Sequence, residues 1–156
     1  MLEIETRNSR ARPHGDLKVL LAEDDDGDAK AVLRAFRKAR VANGITRAVD
    51  GVEALDYLRG TGGKERIKPP FVLLADINMP RMNGIELVRE MREDPELSST
   101  VVFFLTTSSH DQDIDAAYGL NAAGYIVKET AGRDFLQLVG MIGRYWRIVE
   151  FPAAHT

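Results

Sequence analysis

Cysteine is absent from the chain, which excludes disulfides, thiolate metal centres and cysteine nucleophiles. Long apolar runs are missing too. The longest stop far short of the ~20 residues that a membrane-spanning helix needs, and the N-terminal segment lacks the apolar stretch of a secretory signal. Neither sign of charge dominates: 21 Lys and Arg against 24 Asp and Glu leave a formal net charge of −3. Without a basic cluster, such a chain has no general attraction to nucleic acid or to anionic lipid. These absences predict a cytoplasmic protein with no membrane or nucleic-acid contacts of its own. Internal repeats and low-complexity tracts are also lacking, and 156 residues leave room for one domain with a single core.

What the chain does have is a set of apolar runs that each stop at a reactive polar group. KVLLAED stops at Glu23 and Asp24, FVLLAD at Asp76, VVFFLTT at Thr106 and GYIVK at Lys128. Val19 to Ala22, Phe71 to Ala75 and Val101 to Leu105 show no alternation, so each is expected to be a strand buried on both faces, as in a parallel sheet between helix layers. Residues 44 to 49 form a more polar strand whose Thr46 and Arg47 suit a sheet edge. In open α/β sheets ligands sit outside the carboxyl ends of the strands. The polar stops therefore predict one active edge.

Helical patterns separate the strands. Asp26 or Asp28 is expected to cap a helix with Ala29, Val32, Leu33 and Phe36 on one stripe. Asp50 with Glu53 has the spacing of a capping box before Val52, Leu55 and Leu58, and Asn83 with Glu86 offers a looser version before Leu87, Val88 and Met91. A fourth helix starts near Asp111 with Ile114, Ala117 and Tyr118 inward and Asp113 and Asp115 outward, and a fifth carries Phe135, Leu138, Val139, Ile142 and Trp146. Gly60 to Pro70 has no apolar period and is expected to be a surface loop without chemistry. Residues 1–16 are expected to be a flexible arm, 17–148 the domain and 149–156 a tail. The strand–helix alternation predicts a doubly wound α/β fold.

At the predicted edge, Glu23, Asp24 and Asp76 bring three carboxylates together. That is costly unless a divalent cation or a proton offsets the repulsion. Mg²⁺ takes few carboxylates, several waters and a substrate phosphate, and the Asn78 backbone carbonyl offers a further oxygen. Aspartate can attack phosphorus to form an aspartyl phosphate, and Asp76 at its strand end is best placed. Lys128 would neutralise phosphoryl charge, and the Thr106 hydroxyl would hydrogen-bond a phosphoryl oxygen. Singly, these groups have bland explanations as strand ends, helix caps or solvated lysine. Their coincidence favours chemistry. DDDGD does not continue as a calcium loop, because Ala29 and Ala35 occupy positions that need Gly and Glu. His14, His110 and His155 lack ligand spacing.

From about Lys18 to about Ile148 the chain resembles the receiver domains of two-component response regulators. VLLAEDD, LLADINMPRMNG, FFLTTS and GYIVK carry the resemblance. It implies a flavodoxin-like, five-stranded parallel sheet of order 2-1-3-4-5 with five helices. Asp76 would accept phosphate from a histidine kinase, and Glu23, Asp24, Asp76 and the Asn78 carbonyl would bind Mg²⁺. Thr106 and Lys128 would contact the phosphoryl group, Thr106 and Tyr125 would form the switch, and Asn78 and Ser108 would tune dephosphorylation. Such a domain catalyses only its own phosphoryl transfer and hydrolysis and is not otherwise an enzyme. Two positions depart from the family: Glu129 follows Lys128 where proline is usual, and Glu23 stands where many relatives have aspartate. With little chain after the fifth helix, no output domain is expected and the signal would pass by protein contact.

Weaker motifs, the long loop before the third strand and the PAA-x-T tail, resemble the small response regulators of phytochrome histidine kinases. They imply light as the input and a homodimer, with Tyr145, Trp146, Ile148 and Phe151 available to line its interface, although the same side chains would serve equally to close the core beneath the tail. Three other readings compete with a phosphoaccepting receiver. A haloacid dehalogenase-type phosphatase needs an acid where Asn78 stands. A flavodoxin needs a phosphate loop where residues 23–26 are acidic. A receiver-like binding module independent of phosphate would not need the complete site.

Overall fold

The computed structural model describes residues 18–39, 44–106 and 111–127. Its elements run β1 (Lys18–Ala22), α1 (Asp26–Ala39), β2 (Gly44–Ala48), α2 (Gly51–Arg59), β3 (Phe71–Asp76), α3 (Gly84–Glu93), β4 (Val101–Thr106), α4 (Asp111–Gly119) and β5 (Gly124–Val127). All neighbouring strands are parallel, in the order β2-β1-β3-β4-β5 expected from the resemblance. The expected fifth helix, the N-terminal arm, the tail, Ser108, Lys128 and the Lys128–Glu129 bond lie outside the described residues. Among the described residues no helix is long and apolar enough to cross a membrane.

The unbroken apolar runs follow from burial on two sides. Val19, Leu21, Val72, Leu74, Phe103 and Leu105 face one way and pack with Ala29, Val32 and Phe36 of α1. Leu20, Ala22, Leu73, Ala75, Val102 and Phe104 face the other way and pack with Leu55 and Leu58 of α2 and Leu87, Val88 and Met91 of α3. Successive side chains on a strand point to opposite faces, so a sheet covered on both must be apolar throughout. β2 has helix contact yet keeps half-buried positions at Ile45, Thr46 and Arg47, as an edge strand does.

Helix starts differ from the sequence expectation. Asp25, not Asp26 or Asp28, caps α1: its carboxylate accepts the Asp28 amide at 2.7 Å and its carbonyl accepts the Ala29 amide at 2.9 Å. A cap must precede the first turn, and Asp26 and Asp28 are already inside it, near the positive end of the helix. At α2 the Asp50 carboxylate accepts the Glu53 amide at 2.8 Å, but Glu53 reaches back to the Val49 amide at 2.9 Å. The full reciprocal box is at α3, where Asn83 accepts the Glu86 amide at 2.8 Å and Glu86 accepts the Asn83 amide at 3.0 Å.

Three inward assignments also change. Val52 is half-buried and Ala54 buried in its stead, while Leu33 is half-buried. Tyr118, expected inward, is 51% exposed, and the adjacent Ala117 makes the core contact of α4. Neighbours on a helix point about 100° apart, so seating Ala117 on the sheet turns Tyr118 outward. The Gly60 to Pro70 loop is anchored. The Ile67 amide donates to the Tyr57 carbonyl at 2.9 Å, its side chain packs on the second core, and the Thr61 hydroxyl donates to Asp56 at 2.6 Å.

Candidate functional site

Strand register gathers the polar stops. Ala22 pairs with Ala75, Asp76 with Leu105 and Thr106 with Val127, so Glu23, Asp76 and Thr106 sit at the same carboxyl edge. Lys128, the next residue after Val127, lies outside the described residues. One carboxylate oxygen from each of Glu23, Asp24 and Asp76 lies within 4.8 Å of the others. Glu23 is fully buried, Asp76 and Thr106 are nearly so, and Asp24 is exposed.

At that separation, with an effective dielectric of ~20, two ionised carboxylates repel by about 3 kcal/mol or more. Three hard oxygen donors, one of them open to water, fit a small divalent cation such as Mg²⁺, which keeps several waters.

The backbone holds these groups from several directions. The Glu23 amide donates to the Ala48 carbonyl at 3.0 Å, and its Oε1 accepts the Asp25 amide at 3.1 Å. Arg47 donates from Nε to the Glu23 carbonyl at 2.9 Å and from Nη1 to Asp26 Oδ1 at 2.7 Å. This hydrogen bond, with the guanidinium charge, pulls the Asp26 carboxyl below its usual range. On the β3 side, Asp76 Oδ1 accepts the Asn78 amide at 3.1 Å and the Ile77 amide donates to the Leu105 carbonyl at 2.8 Å.

The loop after β3 is pinned at its far end. Arg81, in the left-handed region at φ 64°, donates to Asp50 from Nε at 2.7 Å and Nη2 at 3.2 Å. The Gly51 amide donates to the Met82 carbonyl and the Gly84 amide to the Ile77 carbonyl, each at 3.0 Å. A Cβ on Gly51 would lie 2.6 Å from the Met82 carbonyl oxygen, and one on Gly84 would meet the Asp76 carbonyl oxygen. Both glycines are therefore required by close backbone approach.

The family model of the response regulator receiver domain matches residues 19–140. The chain belongs to that family. It is 30% identical over 137 residues to Response regulator Rcp1 of Synechocystis, covering 87% of this chain and 93% of Rcp1. The crystal structure of the phosphorylated cyanobacterial phytochrome response regulator RcpA superposes with a TM-score of 0.78 at 30% identity, covering 89% of this chain and all of RcpA. A Mn²⁺-bound form of Rcp1 gives a TM-score of 0.75 at 29% identity, covering 87% of this chain and 99% of that chain.

In this receiver domain Tyr125 is half-buried on β5 opposite Phe104, and its ring meets that of Tyr118 edge-on, with centroids 5.7 Å apart and planes at 80°. Three residues near or beneath the site escaped the sequence reading. In the sequence Arg47 reads only as a polar edge residue and Asp50 only as a cap, and Arg81 carries no signal of a site. An arginine inside an otherwise strand-like run was the one available signal, because a charged side chain there must find a partner. Asp50 and Arg81 offered none.

Proposed function

We propose that this receiver accepts a phosphoryl group from a histidine kinase onto Asp76, in a Mg²⁺-dependent step, and signals through phosphorylation-dependent protein contacts. The observation that carries this reading is the convergence of Glu23, Asp24 and Asp76 at the carboxyl edge, with Thr106 on the neighbouring strand. An Asp76 carboxylate oxygen attacks phosphorus, a P–O bond forms, and the P–N bond to the kinase histidine breaks with its electron pair left on the imidazole. A bound Mg²⁺ supplies neutralisation of charge on the phosphoryl oxygens. Glu23, Asp24, Asp76 and the Asn78 carbonyl hold that ion, Thr106 donates its hydroxyl to a phosphoryl oxygen and Lys128 pairs with another.

Phosphorylation draws Thr106 inward and lets Tyr125 follow, a population shift biased by local charge. Asn78 and Ser108 flank the path of hydrolytic water and tune the lifetime of the acyl phosphate. The likeness to RcpA, a phytochrome response regulator, supports a phytochrome-type kinase, hence light, as the input, and a cytoplasmic setting belongs to the same reading. A homodimer through Tyr145, Trp146, Ile148 and Phe151 belongs to the same reading.

The test is intact mass spectrometry of wild type and Asp76→Asn after incubation with Mg²⁺ and acetyl phosphate, with and without chelator. One hydroxylamine-labile phosphoryl group on wild type alone, lost with the chelator, is expected. No adduct on wild type, even with histidine kinases supplied, would leave a phosphate-independent binding module as the better account.

A further inference from the structure

We propose that Arg47 is a positioning residue for the metal site, clamping the acidic loop so that Glu23 and Asp24 are presented to Asp76. The proposal rests on the reading of that site as a Mg²⁺ centre. Arg47 sits on the edge strand opposite Leu21, and its side chain grips residues 23–26 at both ends, the Glu23 carbonyl and the Asp26 carboxylate. β2 also holds the other side of the same residue, since the Ala48 carbonyl accepts the Glu23 amide. Asp24 lies between the gripped points, exposed, and owes its direction to the peptide that follows Glu23.

Stability alone gives a poor reason for an arginine here. Asp26 is 81% exposed, and ion pairs with such partners contribute little. The Arg47 Nη2 is buried with no hydrogen-bond partner among the described residues, which is a cost. An apolar residue would suit a half-buried edge position as well. What arginine adds is a planar fork that fixes two acceptors at once.

The sign of the effect on metal affinity separates this role from a bystander's. Removing a cation near three carboxylates should tighten Mg²⁺ binding through the field alone. Losing the clamp should loosen it, because Mg²⁺ demands near-ideal octahedral geometry. Field and geometry thus act in opposite directions, and a clamp predicts that geometry outweighs the field. Residues that orient metal ligands are typically worth 10–100-fold in affinity.

Isothermal titration with Mg²⁺ would compare wild type, Arg47→Gln and Arg47→Lys, and amide exchange would be followed at residues 24–28 in metal-free protein. Both variants should bind Mg²⁺ about 10-fold more weakly and exchange those amides faster. Lysine keeps the charge but not the fork, so it does not rescue, and it preserves the test if the glutamine variant folds poorly. Unchanged or tighter binding with unchanged exchange would overturn the clamp while leaving the metal site intact. Wild type that binds no Mg²⁺ would overturn the metal reading itself and the clamp with it.

Discussion

Asp50 caps α2 and also pairs with Arg81, and substitution can separate the two roles. Its side chain is 6% exposed, accepts the Glu53 amide, and receives two hydrogen bonds from a guanidinium that is itself 60% exposed. The Arg81 hydrogen bonds hold the Asp50 carboxyl below its usual range, burial opposes them, and the Glu53 and Val52 amides add to the lowering. Asparagine caps a helix about as well as aspartate, so Asp50→Asn loses only the ionised acceptor, about 1 kcal/mol once solvent screening is allowed for. Asp50→Ala loses the cap as well, typically another ~1 kcal/mol. At roughly 2–4 °C per kcal/mol for a chain of this size, the midpoints should fall by about 3 and 6 °C.

A carboxyl with a depressed folded pKa stabilises the fold fully above its unfolded pKa, near ~3.9 for aspartate, and loses that contribution as pH falls through the folded value. The gap between wild type and Asp50→Asn in urea unfolding should therefore be flat above about pH 5 and shrink below about pH 4. Asp50→Ala should keep part of its deficit throughout. Equal costs for the two variants at neutral pH, or an asparagine deficit that persists undiminished in acid, would refute the division between cap and ion pair.

Other perturbations test the packing beneath the site. Gly84→Ala places a methyl against the Asp76 carbonyl, backbone of a central strand that cannot yield, so α3 must back away; a cost of about 1–3 kcal/mol and slower labelling by acetyl phosphate are expected. Gly44→Ala, where an added Cβ meets nothing within 4 Å and φ is not positive, is the control and should leave labelling unchanged and the urea midpoint no lower than wild type. Arg92 donates to the carbonyls of Ser98, Thr100, Leu120 and Asn121, tying the loop before β4 to the loop before β5. Its alanine variant leaves those acceptors short and should lose about 2–4 kcal/mol by urea unfolding; an Arg92→Lys variant as stable as wild type would refute the need for a fork.

The strands, and the edge on which the site is built, are legible in the residue pattern. Continuous apolar runs at Val19 to Ala22, Phe71 to Ala75 and Val101 to Leu105 must be buried on both faces, and helical crossovers between parallel strands bring their carboxyl ends together. Glu23, Asp24, Asp76 and Thr106 are thereby placed on one edge, and the order that makes β1, β3 and β4 neighbours, expected from the resemblance, brings them together. Helix starts were less legible, because Asp25, Asp26 and Asp28 are chemically interchangeable as caps until the first turn is located.

The polar groups that support that edge are not legible in this way. Arg47 meets Glu23 across 24 residues, Arg92 meets Leu120 across 28 and Arg81 meets Asp50 across 31. No local period or propensity encodes such meetings. They exist because β2 lies beside β1, and because the loop after β3 folds back over the start of α2. The close backbone approach of Gly51 to Met82 arises in the same way. Strand burial is a property of each segment and can be read from it, whereas a contact between distant segments belongs to the order of strands in the sheet.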